Sequence, residues 1–316
     1  MIRASTLVRL LRPSQWSKNA FVMVGLLFGH AWQDPHRVLA ALVAFAAFCA
    51  IASAVYVIND WFDRDRDRAH PRKRNRPIAS GEVSGPVAAV LVVALVALAF
   101  WLTAAAPIAS VQLAAAPAAS SAGSAWLAGG GRLAVLLATY LAMNVAYSVG
   151  VKHVPILDCT LIAAGFMLRI LAGTWAIGIE PSRWLIVCSL SLTLFLAFSK
   201  RRAELEVLGE GAGGHRRVLD HYSLPLLDQF LAITATAVLV TYSVYTVSPD
   251  TIALHKTDQL FWTVPFVLYG LFRYLYIVFQ RGAGGNPTGD VVRDPHMVVA
   301  AVAWLATTAL VLRAAS

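Results

Sequence analysis

The residues best suited to chemistry form an acidic run at the end of a long hydrophobic segment, Asn59-Asp60-Trp61-Phe62-Asp63-Arg64-Asp65-Arg66-Asp67. If a helix continues through this run, an amide and three carboxylates lie within about 100° of one another on one face. These belong to Asn59, Asp60, Asp63 and Asp67, whereas Asp65 points elsewhere and is expected to be solvated. Because such carboxylates repel one another and hard oxygen ligands favour Mg²⁺, the four residues predict a Mg²⁺ site. The alternative is a solvated charge run at a helix end.

A basic cluster follows the acidic run almost at once and consists of Arg72, Lys73, Arg74 and Arg76. Guanidinium groups offer forked donors and ammonium groups offer point charges, and both suit phosphate oxygens. The alternative is that these residues only keep their loop in the cytoplasm through their charge. The acidic face and the basic cluster together predict a site for a phosphate-rich ligand that chelates a metal, with Lys73, Arg74 and Arg76 as phosphate ligands.

A second polar group surrounds the start of a later hydrophobic segment. Lys152 precedes this segment, Asp158 opens it, and Arg169 follows eleven residues after Asp158. Eleven residues of helix amount to only about 20° of net rotation, so Asp158 and Arg169 share a helix face. Ionisable groups at membrane depth are costly and are by default functional or paired. We therefore predict that both face the interior of the bundle, with a purely structural role as the alternative.

A third charged group, Ser199-Lys200-Arg201-Arg202-Ala203-Glu204-Leu205-Glu206, follows another hydrophobic segment. It is basic first and acidic second, and a glycine-rich break at 209–214 follows it. Its order of charges differs from that of the acidic run. It therefore forms a second charged helix end.

The elements that must position these groups are membrane-spanning helices. The chain has 316 residues, of which 58% are hydrophobic and 14% are charged, and its mean hydropathy of +0.65 is typical of an integral membrane protein. Apolar runs long enough to cross a hydrocarbon core of about 30 Å recur along it. We predict an all-α polytopic protein with about nine spans, at 19–33, 38–58, 86–106, 132–148, 157–177, 182–199, 228–248, 259–279 and 297–313. Three cysteines, Cys49, Cys159 and Cys188, fall within these spans and are expected to be apolar core residues.

The distribution of basic residues predicts the topology. With nine spans, 19 of the 26 Lys and Arg residues lie on the side of the N-terminus and five on the other. Basic loops stay in the cytoplasm, so the N-terminus is predicted to be cytoplasmic and the C-terminus outside. This bias also explains the formal net charge of +9, and no nucleic-acid partner is expected.

We predict a single transmembrane catalytic domain over residues 1–316. Residues 1–18 alternate basic and apolar side chains and are expected to lie as an amphipathic segment on the membrane surface; an ordinary basic flank is the alternative. Residues 60–85 and 200–227 are expected to form cytoplasmic active-site loops. The stretch 103–131, rich in Ala, Ser and Gly, is expected to be an outer connection without chemistry.

These motifs resemble those of the UbiA superfamily of intramembrane prenyltransferases, over about residues 11–222. The matching pieces are Leu11-Arg12-Pro13-x-x-Trp16-x-Lys18-Asn19, Asn59-Asp60-x-x-Asp63-x-x-x-Asp67, His70-Pro71-x-Lys73-Arg74-x-Arg76-Pro77-Ile78-Ala79-x-Gly81, Tyr147-Ser148-x-x-x-Lys152, Asp158, Arg169 and Lys200-Arg201-x-x-Glu204-Leu205. The resemblance implies nine helices around a central cavity open to the membrane, with a diphosphate and Mg²⁺ held beneath a cytoplasmic cap. It adds Lys18, His70, Tyr147 and Tyr222 to the candidate substrate-binding residues.

The sequence departs from ordinary members of that superfamily in one respect. Members that prenylate aromatic acceptors carry a second aspartate-rich motif after the sixth helix, where this chain has Lys200, Arg201 and Glu204. This departure resembles the branch that transfers 5-phosphoribose from 5-phosphoribosyl 1-diphosphate to a polyprenyl, decaprenyl-like phosphate and releases pyrophosphate. The resemblance implies a Mg²⁺-dependent enzyme of the bacterial cytoplasmic membrane that serves cell-wall biosynthesis. Asp60, Asp63, Asp67 and Lys152 would then be catalytic residues. Lys200 and Arg201 would face a phosphate rather than a metal, with Glu204 beside them.

Two other functions stay open at this point. A prenyltransferase that moves a prenyl group from prenyl diphosphate to a small aromatic acceptor would need an apolar tunnel ending at the metal. A transporter or channel would need charges along a path across the bilayer, whereas only Arg169 and Arg273 interrupt the spans. Self-association into a homo-oligomer is compatible with each of these functions.

Overall fold

The structure, a computed structural model, describes residues 3–29, 31–70, 73–105, 130–208, 217–285 and 287–315. All regular secondary structure in these ranges is helical, and eight helices are long and apolar enough to cross a membrane. They are α1 Pro35–Phe62, α2 Gly85–Ala105, α3 Arg132–Val149, α4 Leu157–Ala176, α5 Arg183–Leu208, α6 Leu224–Val247, α7 Val264–Arg281 and α8 Pro295–Ala315. Each corresponds to one predicted span, so the all-α polytopic class is confirmed.

The first predicted span, 19–33, is not one long helix. It forms a 3₁₀ helix, Pro13–Met23, followed by a short α-helix, Val24–Phe28. At about 2.0 Å per 3₁₀ residue and 1.5 Å per α residue, the two pieces together reach roughly 30 Å. The segment packs closely on α4, because a Cβ on Gly173 would lie only 1.7 Å from the carbonyl oxygen of Val22. A ninth crossing stays a prediction.

The chain divides into two compact units, and α4 contributes to both. The first unit comprises Met1–Val151 and Gly165–Pro181. Its centre is α1, which packs against α2, α3 and the 3₁₀ segment. Small side chains on α1 let these neighbours approach closely, and Ala40, Ala44 and Ala47 are fully buried beside Phe48. This explains why α1 is the most buried of the eight long helices.

The second unit comprises Lys152–Ala164 and Ser182–Ser316. Here α5 packs along α6, and α7 packs against α8, around buried side chains that include Phe195, Leu227 and Val278. The start of α8 is fixed by Asp294. Its carboxylate accepts two hydrogen bonds from Arg273, at 3.0 and 2.7 Å, and one from the N–H of Met297 at 3.1 Å.

Several predictions about cysteines and loops can be compared with the structure. Cys49 and Cys159 are buried and Cys188 is half-buried, as expected for core residues. The loop predicted at 200–227 begins as helix, because α5 continues to Leu208. Most of the outer connection 103–131 and all of the glycine-rich break 209–214 lie outside the described residues.

Candidate active site

The acidic run is interrupted by a helix end. α1 stops at Phe62, and Asp63 caps it with φ −92° and ψ 0°, its N–H donating to the Asn59 carbonyl at 2.9 Å. A short helix, Arg64–Ala69, then follows. The expectation of one continuous helix through Asp67 is therefore wrong at Asp63, since Asp favours caps and turns over helix interiors. The side-chain positions calculated for a single helix hold only as far as Phe62.

Asp60 and Asp67 nevertheless meet, because one arginine bridges them. Arg76 Nη1 lies 3.0 Å from Asp60 Oδ1 and 2.7 Å from Asp67 Oδ2. Arg12 Nη2 lies 2.5 Å from the same oxygen of Asp60. Both aspartates are only 3% exposed. Burying a carboxylate is costly unless it is paired, so the two arginines make this buried acidic pair tolerable.

Asp65 and Asp63 occupy different surroundings from this pair. Asp65 is exposed and pairs with Arg68 at 3.2 Å and Arg64 at 3.6 Å, so its predicted exposure to solvent is confirmed. Asp63 is half-buried at the helix junction. The acidic run thus separates into a buried pair, a half-buried junction residue and an exposed residue.

The loop that carries Arg76 is anchored by its own apolar residues. Ile78 and Val83 are buried in a small cluster with Leu10 and with Val57 of α1. Gly81 turns the loop at φ +82°, a backbone conformation that favours glycine. Because this cluster joins the loop to α1, it holds the guanidinium of Arg76 beside the end of that helix.

The N-terminal segment is helical over Ala4–Leu11, and it docks on the same loop. Its place on the membrane surface stays a prediction. Thr6 donates to Glu82 Oε2 at 3.0 Å, and Arg9 is hydrogen-bonded to the same oxygen. These bonds, from Thr6 first and then Arg9, lower the pKa of Glu82. The helix ends at Arg12, whose φ of 52° is unusual for a residue other than glycine. This backbone conformation directs the chain from the docked helix into Pro13.

Asn59 is held by α3. The hydroxyl of Ser148 is in hydrogen-bond contact with Asn59 Oδ1, and it also lies 2.7 Å from the Asn144 carbonyl. Tyr147 beside it is half-buried. The amide of Asn59 therefore has a fixed orientation next to the paired aspartates.

The remaining predicted ligands of this region lie nearer the surface. Lys73 and Arg74 are exposed on a 3₁₀ turn, Lys73–Asn75, and Lys18 is exposed on the 3₁₀ segment. His70 is half-buried, and its Nδ1 accepts from the N–H of Lys73 at 3.4 Å. Arg72 lies outside the described residues. Of the predicted phosphate ligands in the loop, Arg76 alone among the described residues is paired with the aspartates.

Arg169 is buried within α4 and contacts neutral groups. Its guanidinium donates to Asn19 Oδ1 at 2.7 Å, to the Gly165 carbonyl at 2.7 Å and to the Tyr140 hydroxyl at 2.9 Å. Its guanidinium carbon, Cζ, lies 4.8–5.6 Å from the ring centroids of Phe48, Tyr140 and Phe166. Within the described ranges no carboxylate forms an ion pair with it. The arginine orients Asn19 and Tyr140, and its charge is stabilised by dipoles and aromatic faces.

The second unit contains its own buried charge cluster. Arg201 Nε lies 3.1 Å from Asp158 Oδ2, and neither side chain exceeds 1% exposure. Arg201 also pairs with Glu204, one turn further along α5. The structure thus brings together three predicted site residues that come from two helices.

Tyr222 completes this cluster. Its hydroxyl donates to Asp158 Oδ1 at 2.8 Å and accepts from the N–H of Ile156 at 2.6 Å. Burial raises the pKa of Tyr222, so the phenol stays a hydrogen-bond donor to the aspartate. Ile156 has φ +68°, which is rare for a β-branched residue, and its hydrogen bond to Tyr222 holds it there.

Lys152 and Lys200 are near this cluster in the sequence, and Arg202 braces two helices. Lys200 is exposed and Lys152 is half-buried. Arg202 is buried, with Asp228 at 2.7 Å, Glu206 at 2.8 Å and the ring of Phe279 at 4.4 Å. In the Lys-Arg-Arg sequence, Lys200 is therefore exposed, Arg201 is a buried ion-pair partner and Arg202 links two helices.

The assignment of Asn59, Asp60, Asp63 and Asp67 as Mg²⁺ ligands stays a prediction. In the part of the chain that the structure describes, no three His, Cys, Asp or Glu side chains converge closely enough to hold a metal ion. Oxygens of Asp60 and Asp67 do converge on one cationic nitrogen of Arg76. Hard carboxylate oxygens that share a cation are chemically suited to Mg²⁺, provided that the guanidinium moves aside.

Sequence reasoning missed two contributors to the site. These are Arg12, which pairs with Asp60, and Ser148, which contacts the side chain of Asn59. The separation between Arg12 and Asp60 along the chain is too long for any helical periodicity to reveal their contact. The unusual sequence Arg12-Pro13 after an apolar stretch is the one local signal of a turn there.

The chain belongs to the UbiA prenyltransferase family, whose model matches residues 19–286. It is 34% identical over 310 residues to a decaprenyl-phosphate phosphoribosyltransferase of Corynebacterium glutamicum, which covers 96% of this chain and 85% of that protein. It is 31% identical over 316 residues to a protein of the same name from Mycolicibacterium smegmatis, covering 96% and 91%. The family predicted from the motifs is thus confirmed. The eight long apolar helices agree with a multi-pass membrane protein.

A solved structure shares the fold. A UbiA homolog from Archaeoglobus fulgidus bound to GPP and Mg²⁺ superimposes with a TM-score of 0.65, covering 98% of this chain and 99% of that one. The two sequences are 17% identical, so the likeness concerns the fold alone.

Proposed function

We propose that this protein transfers 5-phosphoribose from 5-phosphoribosyl 1-diphosphate to a polyprenyl phosphate. The observation that carries the proposal is the similarity over 96% of the chain to two proteins named decaprenyl-phosphate phosphoribosyltransferase. The pairing of Arg201 with Asp158 and Glu204, where prenylating relatives are expected to have a second aspartate motif, is consistent with it.

The reaction needs no added acid or base. An oxygen of the lipid phosphate attacks C1 of the ribose, and the bond from C1 to the diphosphate oxygen breaks. Its electron pair leaves with pyrophosphate, and the lipid carries phosphoribose through a new phosphodiester bond. Because the lipid phosphate is already an anion near neutral pH, positioning the two substrates supplies most of what the attack requires.

The first unit would bind the diphosphate end of the donor. Asn59, Asp60, Asp63 and Asp67 would hold Mg²⁺, which neutralises the charge that develops on leaving pyrophosphate. Lys73 and Arg74, which are exposed on their turn, would bind the ribose 5-phosphate, and His70 and Lys18 lie in the same unit. Tyr147 adjoins the Ser148 that orients Asn59.

The second unit would bind the lipid phosphate through its surface lysines. Lys200 is exposed and Lys152 is half-buried, whereas Arg201 is enclosed by Asp158 and Glu204 and would position them. The buried contacts of Arg169 favour a positioning role for it as well. We place the protein in the bacterial cytoplasmic membrane with its N-terminus in the cytoplasm. Self-association stays a prediction.

A labelled-donor assay tests this proposal. Purified protein would be incubated with 5-phosphoribosyl 1-diphosphate labelled in the ribose, together with decaprenyl phosphate, with and without Mg²⁺. We expect label to move into the lipid phase only when both the lipid and Mg²⁺ are present. Label that stays in the aqueous phase under all conditions, with a folded protein, would overturn the proposal.

The second candidate is transfer of a prenyl group from prenyl diphosphate to a small aromatic acceptor. It is favoured by the description of the matching family as prenyltransferases. Consumption of labelled geranyl diphosphate, without consumption of the ribosyl donor, would support this candidate.

A further inference from the structure

Arg76 contacts both Asp60 and Asp67 through one nitrogen atom. A single nitrogen, Nη1, is within hydrogen-bond distance of Asp60 Oδ1 and Asp67 Oδ2, at 3.0 and 2.7 Å. Arg12 adds a second guanidinium on the same Asp60 oxygen. Nη1 therefore occupies the position between two carboxylates in which a bridging cation would otherwise lie.

We infer that Arg12 and Arg76 are exchangeable counter-ions, which neutralise Asp60 and Asp67 in the absence of ligand and move to the diphosphate when the metal-bound donor arrives. This inference rests on the metal and diphosphate roles proposed above, and it adds that the two ligands bind with positive coupling. The chemical class recognised is a diphosphate chelated to a divalent cation, rather than the free cation.

The charges of the cluster explain the coupling. Two carboxylates and two guanidinium groups sum to zero. A divalent cation alone would have to displace Arg76 from the aspartates, and the two guanidinium groups, two carboxylates and cation would then carry a net charge of +2. A diphosphate brings the anionic oxygens that the displaced guanidinium groups can bind, since forked guanidinium donors match phosphate oxygens. Each ligand therefore makes binding of the other more favourable.

Both arginines are placed so that they can make this exchange. Their side chains are 24% and 29% exposed, whereas the aspartates beneath them are almost fully buried. The N-terminal helix is attached to the loop independently through Thr6, Arg9 and Glu82. Arg12 can thus leave Asp60 without undocking that helix. Its φ of 52° is the kind of unfavourable backbone conformation that surrounding contacts maintain at functional sites.

Binding of Mn²⁺, a paramagnetic substitute for Mg²⁺, tests the inference without any turnover. Free Mn²⁺ would be followed by electron paramagnetic resonance in titrations of the full-length protein in detergent, with and without inorganic pyrophosphate. Protein-free titrations would correct for the complex of Mn²⁺ with pyrophosphate. We expect pyrophosphate to tighten Mn²⁺ binding to the wild type by between about 5-fold and 150-fold, the usual range of coupling between sites.

Variants separate the arginine exchange from a general effect of charge. Arg76→Gln should bind Mn²⁺ alone at least about tenfold more tightly than the wild type and should lose most of the coupling. Arg12→Gln should change in the same direction by less, because Arg76 still bridges the aspartates. Arg64→Gln removes a nearby arginine that pairs with exposed Asp65, and it should behave as the wild type.

Several outcomes would overturn the inference. These are equal Mn²⁺ affinity with and without pyrophosphate in the wild type, or unchanged affinity for free Mn²⁺ in Arg12→Gln and Arg76→Gln. If Arg76→Gln does not fold, the Mn²⁺ titrations of the wild type and Arg12→Gln test the inference. Because neither the ribosyl donor nor the lipid is used, intact coupling in a protein that fails to transfer phosphoribose would overturn the proposed function and support the arginine exchange.

Discussion

Arg201 and Asp158 form an ion pair that is almost completely removed from solvent, with Nε 3.1 Å from Oδ2. The arginine lies on α5 and the aspartate on α4; Glu204 also pairs with the arginine, and Tyr222 donates to the aspartate. A guanidinium group that is enclosed in this way stabilises the protein side chains around it. The adjacent Lys200 is exposed, so two consecutive basic residues have opposite surroundings.

We therefore expect Arg201→Ala to lower the stability of the protein and Lys200→Ala to weaken substrate binding. Removing one partner of a buried ion pair costs about 3–5 kcal/mol, so Arg201→Ala should lower the thermal midpoint of unfolding markedly. Lys200→Ala should keep that midpoint. It should weaken apparent binding of one phosphorylated substrate roughly tenfold, as expected for one charge-assisted contact.

Thermal unfolding in detergent and apparent affinities for both substrates would separate the two variants. A stable Arg201→Ala protein that has lost only substrate affinity would instead make Arg201 a direct phosphate ligand. Asp158→Asn provides a control, because it removes the charge partner of Arg201 and keeps a group of similar size for Tyr222.

Asp67→Asn and Asp65→Asn form a matched pair in the acidic run. Asp67 is buried against Arg76, whereas Asp65 is exposed on the opposite side of the short helix Arg64–Ala69. Loss of a group that stabilises transition-state charge typically costs about 10²–10³ in rate, so Asp67→Asn should lose at least about 100-fold in turnover. Asp65→Asn should be within about twofold of the wild type. Equal activity of the two variants would remove Asp67 from the proposed site.

Much of this fold could be predicted from the sequence, because each long helix is an apolar run that only a membrane can accommodate. The exception is the first span, where close packing of Val22 on Gly173 accompanies a 3₁₀ segment. That contact joins residues far apart in the chain, and hydropathy contains no information about it.

The site was predicted less completely than the fold. Helical spacing identified Asp60 and Asp67 as neighbours, although the helix between them ends at Asp63. It could not indicate that Arg12, from a different segment, reaches Asp60, or that Arg201 turns inward to Asp158. Such pairings depend on tertiary packing, which decides whether a charge at a helix end is solvated or enclosed.

Asp294 predicts a specific response to acid. Hydrogen bonds from Arg273 lower its pKa to about 2 in the folded protein, below its ordinary value of 3.8. A carboxyl group whose folded pKa is depressed contributes stability that is complete above the ordinary value and is lost as pH falls towards the folded value. Between pH 5 and about pH 3 the wild type should therefore lose thermal stability.

Asp294→Asn isolates this contribution. The variant should be less stable than the wild type at pH 5, and the gap between them should narrow as the pH is lowered. Thermal midpoints measured in the same detergent across this range provide the comparison. A gap that stays constant or widens in acid would contradict the assigned role of the carboxylate.

The orientation in the membrane is tested by a reporter at the C-terminus. The distribution of 19 basic residues on one side and five on the other predicts that the C-terminus faces outwards if the segment at 13–28 crosses the membrane. A fused reporter that is active only outside the cytoplasm should then be active. A reporter in the cytoplasm would mean that eight helices cross and that the first segment does not.

A competition between the two donors in one preparation tests directly which reaction the protein catalyses. Purified protein would receive 5-phosphoribosyl 1-diphosphate, geranyl diphosphate, decaprenyl phosphate, a small phenolic acceptor and Mg²⁺, and the products would be identified by mass spectrometry. We predict a decaprenyl lipid that has gained one phosphoribosyl group, and no prenylated phenol. A prenylated phenol with unchanged decaprenyl phosphate would contradict it and assign the protein to the prenyl-transferring part of its family.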